Sequence, residues 1–69
     1  MIDARGLACP QPVILVKKAV EKDRPARVEV WADDPCAAEN IHRFAYHAGY
    51  DFALEQKDDH DEIVLELKK

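Results

Sequence analysis

The chain has 69 residues, 48% of them hydrophobic and 35% charged, with 14 acidic against 10 basic side chains and a net charge of −4. That length gives one domain, residues 1–69, which buries about 60% of its unfolded surface, and the mixed charges with ample apolar content exclude a disordered segment. Scattered lysines and arginines in an acidic chain speak against direct nucleic-acid binding, and the longest aliphatic run, Val13 to Val16, is shorter than a secretory core of about 7–15 residues or a membrane span, so a cytoplasmic protein without membrane contact is expected.

The first five residues, MIDAR, alternate Ile2 and Ala4 with Asp3 and Arg5 and read as a half-buried strand. GLACPQP follows, at residues 6–12. Gly6 lets the strand turn sharply into a loop. With Cys9 as the helix cap, Pro10 becomes the first helical residue, where its missing N–H is no loss and its fixed φ fits, and Pro12 still lies in the tolerant first turn. This arrangement leaves the Gln11 and Val13 amides to face the Cys9 sulfur, with the positive end of the helix dipole behind them. An ordinary cysteine, with a pKa of about 8.5, is only a few per cent ionised at neutral pH. Cys9 is therefore expected to be a rigid, solvent-facing nucleophile with a depressed pKa, more reactive than Cys36. The competing reading is a small buried hydrophobe, but such a cysteine needs neither two prolines nor a helix start.

In the helix that follows, Pro12, Val13, Leu15, Val16, Ala19 and Val20 form one apolar arc. Ile14 falls outside the arc and points outward between Lys17 and Lys18. These three residues are a candidate docking patch for an acidic partner, with apolar contact for affinity and charge for steering. RVEVWA, residues 27–32, alternates again and reads as a second strand. Its Trp31 falls on the face opposite Val28 and Val30, where Ala53 and Val64 would complete an apolar patch or the indole would simply pack over the strand. Asp34 and Pro35 look like the cap and first residue of a second helix, with Ala37, Ile41, Phe44, Ala45 and Ala48 inward and Gly49 as its stop. YDFALEQK and EIVLELK, around the polar turn KDDHDE, read as an antiparallel hairpin.

The order β-α-β-α-β-β with short links implies right-handed crossovers and both helices on one face. The expected fold is an α/β two-layer sandwich with a mixed four-stranded sheet, its helix starts gathered at the edge where such folds place chemistry. The three histidines offer Cys9 no obvious base: His42 and His47 diverge around the second helix, His60 lies in the distal turn, and all three read as solvated. Cys9 and Cys36 match neither a Cys-x-x-Cys nor a zinc spacing, so no metal is expected and free thiols in a reducing compartment are.

The combination of Asp3, Arg5-Gly6-Leu7, Cys9-Pro10-Gln11-Pro12, Val13, Lys17-Lys18-Ala19 and Asp34-Pro35 resembles the TusA/SirA sulfur-carrier family over essentially the whole chain. Its centre is the Cys-Pro-x-Pro signature between a first strand and a first helix. The resemblance implies a mixed four-stranded sheet with the last strand antiparallel to the others, and a sulfurtransferase activity without a resident cofactor. Cys9 would accept sulfane sulfur as a transient persulfide, supported by Gly6, Pro10, Gln11 and Pro12. The implied partners are a sulfur-donor protein, such as a cysteine desulfurase or a rhodanese, and a sulfur-acceptor protein. Such chemistry needs an accessible thiolate and no metal or triad.

Cys36 departs from the usual family pattern, which has a small residue such as alanine there. Both cysteines start helices at one sheet edge, which raises a rival function as a thiol-disulfide redox protein, with Cys9 attacking and Cys36 resolving. Helices packed about 8–10 Å apart do not easily bring Cα atoms within the roughly 7 Å a disulfide requires, so the redox role ranks second. A non-catalytic interaction module ranks third.

Overall fold

The computed structural model describes residues 1–68, which form β1 (Ile2–Asp3), α1 (Gln11–Asp23), β2 (Arg27–Ala32), α2 (Pro35–Ala48), β3 (Tyr50–Gln56) and β4 (Asp61–Leu67). The strands form one sheet in the order β1-β2-β4-β3. β1 lies parallel to β2, with Ile2 opposite Val30, and β4 inserts antiparallel to both β2 and β3. The hairpin strand β4 thus fills the gap between two strands of common direction, giving the α/β mixed sheet that the sequence order implies.

The alternation along β2 sends Val28, Val30 and Ala32 to the core, where they meet Ile63 and Leu65 of β4. Val16 and Val20 of α1 and Ala37, Ile41 and Ala45 of α2 close over the same face, so both helices lie on one side of the sheet. Ile14 is half-buried rather than outward-pointing, while Lys17 and Lys18 remain exposed. The apolar part of α1 is therefore wider than its amphipathic pattern suggests. Among the described residues no helix is long and apolar enough to cross a membrane.

The helix C-termini are tied together at the end of the molecule remote from the two cysteines' helix starts. α1 stops at Arg24, whose left-handed φ of 42° brings its N–H to the Val20 carbonyl at 2.7 Å. The Arg24 guanidinium donates to the last carbonyl of α2, Ala48, at 2.7 Å. Gly49 ends α2 as expected, with φ 83° and its N–H bonded to the Ala45 carbonyl. Tyr50 then buries its ring and donates its hydroxyl to the Pro25 carbonyl at 2.6 Å.

The open sheet face decides between the two readings of Trp31 and corrects the expectation for His60. The half-buried indole packs beneath neighbouring side chains rather than standing as an exposed apolar patch. The Arg5 guanidinium lies 4.8 Å above the indole, and the His60 ring packs beside it at 5.0 Å. His60 is correspondingly not solvated: its side chain is only 11% exposed, and its ring nitrogens meet Asp59 at 2.6 Å and Glu62 at 3.2 Å. The Asp59 contact, with help from Glu62, raises the His60 pKa above the ordinary histidine value against a smaller opposing effect of desolvation. His42 and His47 are exposed as expected, although His42 stacks on Phe52 at 4.5 Å.

Candidate active site

The loop from Ala4 to Pro10 carries the chain from β1 to α1 and is held by the start of α2. Gly6 adopts φ 81° and donates its N–H to both Asp33 carboxylate oxygens, at 3.0 and 2.9 Å. That backbone region is open to glycine and costly to other residues. On the strand side, Arg5 binds the Asp3 carboxylate at 2.9 Å and holds its pKa down at about 2.

The adjacent carboxylate, Asp34, joins the two cysteine-bearing segments. Its Oδ1 accepts the Cys36 N–H at 2.8 Å, capping α2, while Oδ2 accepts the Cys9 N–H at 3.2 Å. Asp-Pro at a helix start was legible as a cap; its second bond, across 25 residues of sequence, was not.

The clamp sets the two sulfurs against each other. Cys9 Sγ and Cys36 Sγ are in hydrogen-bonding contact at 3.1 Å, both as free thiols. This overturns the expectation that helix spacing separates them. Cys9 does not sit on the α1 axis but in the loop ahead of it, and that loop crosses to the N-terminus of α2. Asn40, one turn beyond Cys36, donates from Nδ2 to Cys9 Sγ at 2.6 Å and lies 3.7 Å from Cys36 Sγ. Sequence reasoning missed Asn40. The only available signal was its i,i+4 spacing from Cys36, which places both on one helix face.

The electrostatics correct the expectation for Cys9. Its pKa is raised, not depressed, chiefly by the thiol–thiol contact with Cys36, then by desolvation and the nearby Cys36 and Asp34 charges, with Asn40 opposing. The helix-start argument fails by one residue of register. Pro10, not Cys9, is the cap of α1, Gln11 is its first residue and Pro12 its second. The Gln11 N–H goes to the Ala8 carbonyl at 2.9 Å instead of to the sulfur, and neither proline has an N–H to offer. The Cys9–Pro10 peptide is cis.

Cys9 is half-buried and Cys36 exposed. Beside Cys9, Pro10, Val13, Asn40, Arg43, Phe44 and His47 line an open groove of about 420 Å³ between the two helices. Lys17 and Lys18 lie one to two turns further along α1 and do not line it. Among the described residues no cluster of three or more His, Cys, Asp or Glu side chains is placed to hold a metal ion.

Comparison with known proteins agrees with the fold. The family described as Sulfurtransferase TusA matches residues 1–69. A Bacillus subtilis protein named "Putative sulfur carrier protein YrkI" is 34% identical over 70 residues, covering 100% of this chain and 92% of that protein. The Methanocaldococcus jannaschii "Putative sulfur carrier protein MJ0990" is 40% identical over 57 residues, covering 81% of this chain and 76% of its own length. The crystal structure of a SirA-like protein from Desulfitobacterium hafniense superposes with a TM-score of 0.85 at 31% identity, over 99% of this chain and 96% of that one. The chain belongs to the TusA sulfurtransferase family.

Proposed function

We propose that this protein is a sulfur carrier that accepts sulfane sulfur as a persulfide on Cys9 and relays it to a partner protein. The observation that carries the reading is a partly accessible cysteine at the head of α1 whose sulfur receives a side-chain hydrogen bond from Asn40 at 2.6 Å, in a chain matched end to end by a sulfurtransferase family. A donor to sulfur steadies the thiolate that attacks the incoming sulfane sulfur, and later the thiolate left behind when the outer sulfur departs. Ionisation of Cys9 is unfavourable in the resting dithiol, so loading is tied to an alkaline shift or to a partner that displaces Cys36 from the contact. The carrier's partners in this reading are a donor such as a cysteine desulfurase or rhodanese, and an acceptor protein.

The half-buried Ile14 with exposed Lys17 and Lys18 remains the proposed docking surface, and the groove beside Cys9 adds Val13 and Phe44 as apolar contacts. The experiment follows labelled sulfur from a cysteine desulfurase onto the protein. Cys9→Ser should take up no covalent label, and Cys36→Ala should keep most of the uptake. Full uptake by Cys9→Ser overturns the proposal and moves the acceptor to Cys36, the other free thiol, whereas no uptake by the wild type returns the chain to an interaction module. Lys17→Glu combined with Lys18→Glu should slow uptake most at low salt, and an unchanged rate there removes the lysines from the docking surface.

A second reading is favoured by the 3.1 Å sulfur–sulfur contact: a thiol-disulfide exchange protein in which Cys9 attacks a partner disulfide and Cys36 resolves the mixed disulfide. Loss of labelled-sulfur uptake in Cys36→Ala as severe as in Cys9→Ser would favour it.

A further inference from the structure

A carrier needs one sulfur nucleophile, and this site holds two in contact. Cys36 Sγ lies 3.1 Å from Cys9 Sγ, inside the range of about 3–3.5 Å from which reacting atoms proceed to bond formation. The pair is held from both sides. Asp34 receives the Cys9 and Cys36 backbone N–H groups on its two oxygens, and the Asn40 amide stands over both sulfurs, 2.6 Å from one and 3.7 Å from the other. The near atom for Cys36 is therefore the sulfur that would be the inner member of a Cys9 persulfide. Cys36 is exposed, so a small anion formed at the pair has a path to solvent.

We infer that Cys36 discharges the sulfur carried on Cys9, releasing hydrosulfide and closing a Cys9–Cys36 disulfide. This inference rests on the carrier reading of Cys9. The Cys36 thiolate attacks Cys9 Sγ, and a bond forms between the two cysteine sulfurs. The bond from Cys9 Sγ to the outer sulfur breaks, and its electron pair leaves with the outer sulfur as hydrosulfide. The sulfane sulfur is reduced to sulfide, the two cysteines are oxidised to the disulfide, and the proton of Cys36 passes to solvent or to the sulfide. The carried sulfur is itself the oxidant, so no other is required. Hydrosulfide is a better leaving group than an alkyl thiolate, because the weaker base leaves faster. The discharged form cannot accept sulfur until a dithiol reduces it. Persulfide relay then competes with self-discharge, and a bound acceptor that occludes Cys36 decides between them.

The test loads the reduced protein anaerobically with inorganic polysulfide, removes the excess, and follows free sulfide and intact mass after acid quenching. Wild type should lose its one-sulfur adduct while releasing equimolar sulfide and end lighter than the dithiol by two hydrogens. Cys36→Ala, a change at an exposed side chain, should hold the adduct on Cys9 at least ~100-fold longer, because it lacks the preoriented second thiol. A wild-type adduct as long-lived as that of Cys36→Ala overturns the discharge and leaves the carrier reading intact. Migration of the sulfur to Cys36 without sulfide release, seen by peptide mapping, also overturns it. If Cys36→Ala forms no adduct on Cys9, the carrier reading itself fails, and the discharge fails with it.

Discussion

Replacing Asp34 tests how the two cysteines are brought together. Asp34→Ala removes the α2 cap, a loss of about 1 kcal/mol, and also removes the carboxylate acceptor of the Cys9 N–H, which as a charge-assisted bond is worth about 1.5 kcal/mol. The two losses involve one side chain but separate oxygens, so together they come to about 2–3 kcal/mol. At about 4–8 °C per kcal/mol for a domain of this size, the midpoint of thermal unfolding should fall by roughly 10–20 °C. Asp34→Asn separates the parts. Asparagine caps a helix as well as aspartate does, so its oxygen keeps the Cys36 N–H, but its amide then faces the Cys9 N–H donor to donor. It should lose only about half as much stability, while freeing the Cys9 loop. Circular dichroism melts of the three proteins, with alkylation of Cys9 measured alongside, check both parts. Equal melting of Asp34→Ala and wild type, or identical losses in the two variants, would refute the double role assigned to this carboxylate.

Four further outcomes follow from the site and the core. The raised Cys9 pKa makes iodoacetamide alkylation of Cys9 slow at neutral pH and faster as pH climbs beyond the ordinary thiol value. Cys36→Ala, which removes the largest cause of the shift, should move that profile to lower pH, and an unmoved profile contradicts the thiol–thiol contact. The His60 pKa is raised in the folded state, so its contribution to stability is complete below the unfolded histidine value near 6.5 and is lost as pH rises through the folded value; histidine NMR titration of folded protein and of His60→Gln unfolding at several pH values checks the sign. Ile41→Ala, at a side chain with 0% exposure, should cost about 2–5 kcal/mol, and Gly6→Ala, whose new methyl group meets nothing within 4 Å, should cost only the backbone strain of about 1–2 kcal/mol; urea titrations give both.

The fold was legible because its signals are local and periodic. Val28, Val30 and Ala32 alternate with outward residues, the Asp34-Pro35 pair starts a helix, and Gly49 stops one. Cys9 could be singled out for the same reason, since Cys-Pro-x-Pro before an amphipathic helix needs no tertiary information. What could not be read depends on contacts between distant segments. The Asp34 clamp, the Asn40 donor and the meeting of Cys9 with Cys36 join residues separated by 25 to 31 positions. The sign of the Cys9 shift was lost with them, because a one-residue displacement of the α1 cap takes the Gln11 amide away from the sulfur and the neighbouring thiol takes its place. Trp31 shows a smaller version of the same effect. Its face of the strand follows from alternation, but the covering by Arg5 and His60 comes from a loop and a turn that no period encodes.

The central claim is that Cys9 is the sulfur acceptor, and peptide-level mass spectrometry tests it most directly. Reduced Cys36→Ala and Cys9→Ser proteins are each incubated with a cysteine desulfurase and cysteine, alkylated, digested and mapped. One added sulfur on the peptide containing Cys9 of Cys36→Ala, with none on any peptide of Cys9→Ser, is the result this account requires. An adduct on Cys36 in Cys9→Ser, with Cys9 unmodified in Cys36→Ala, would contradict it.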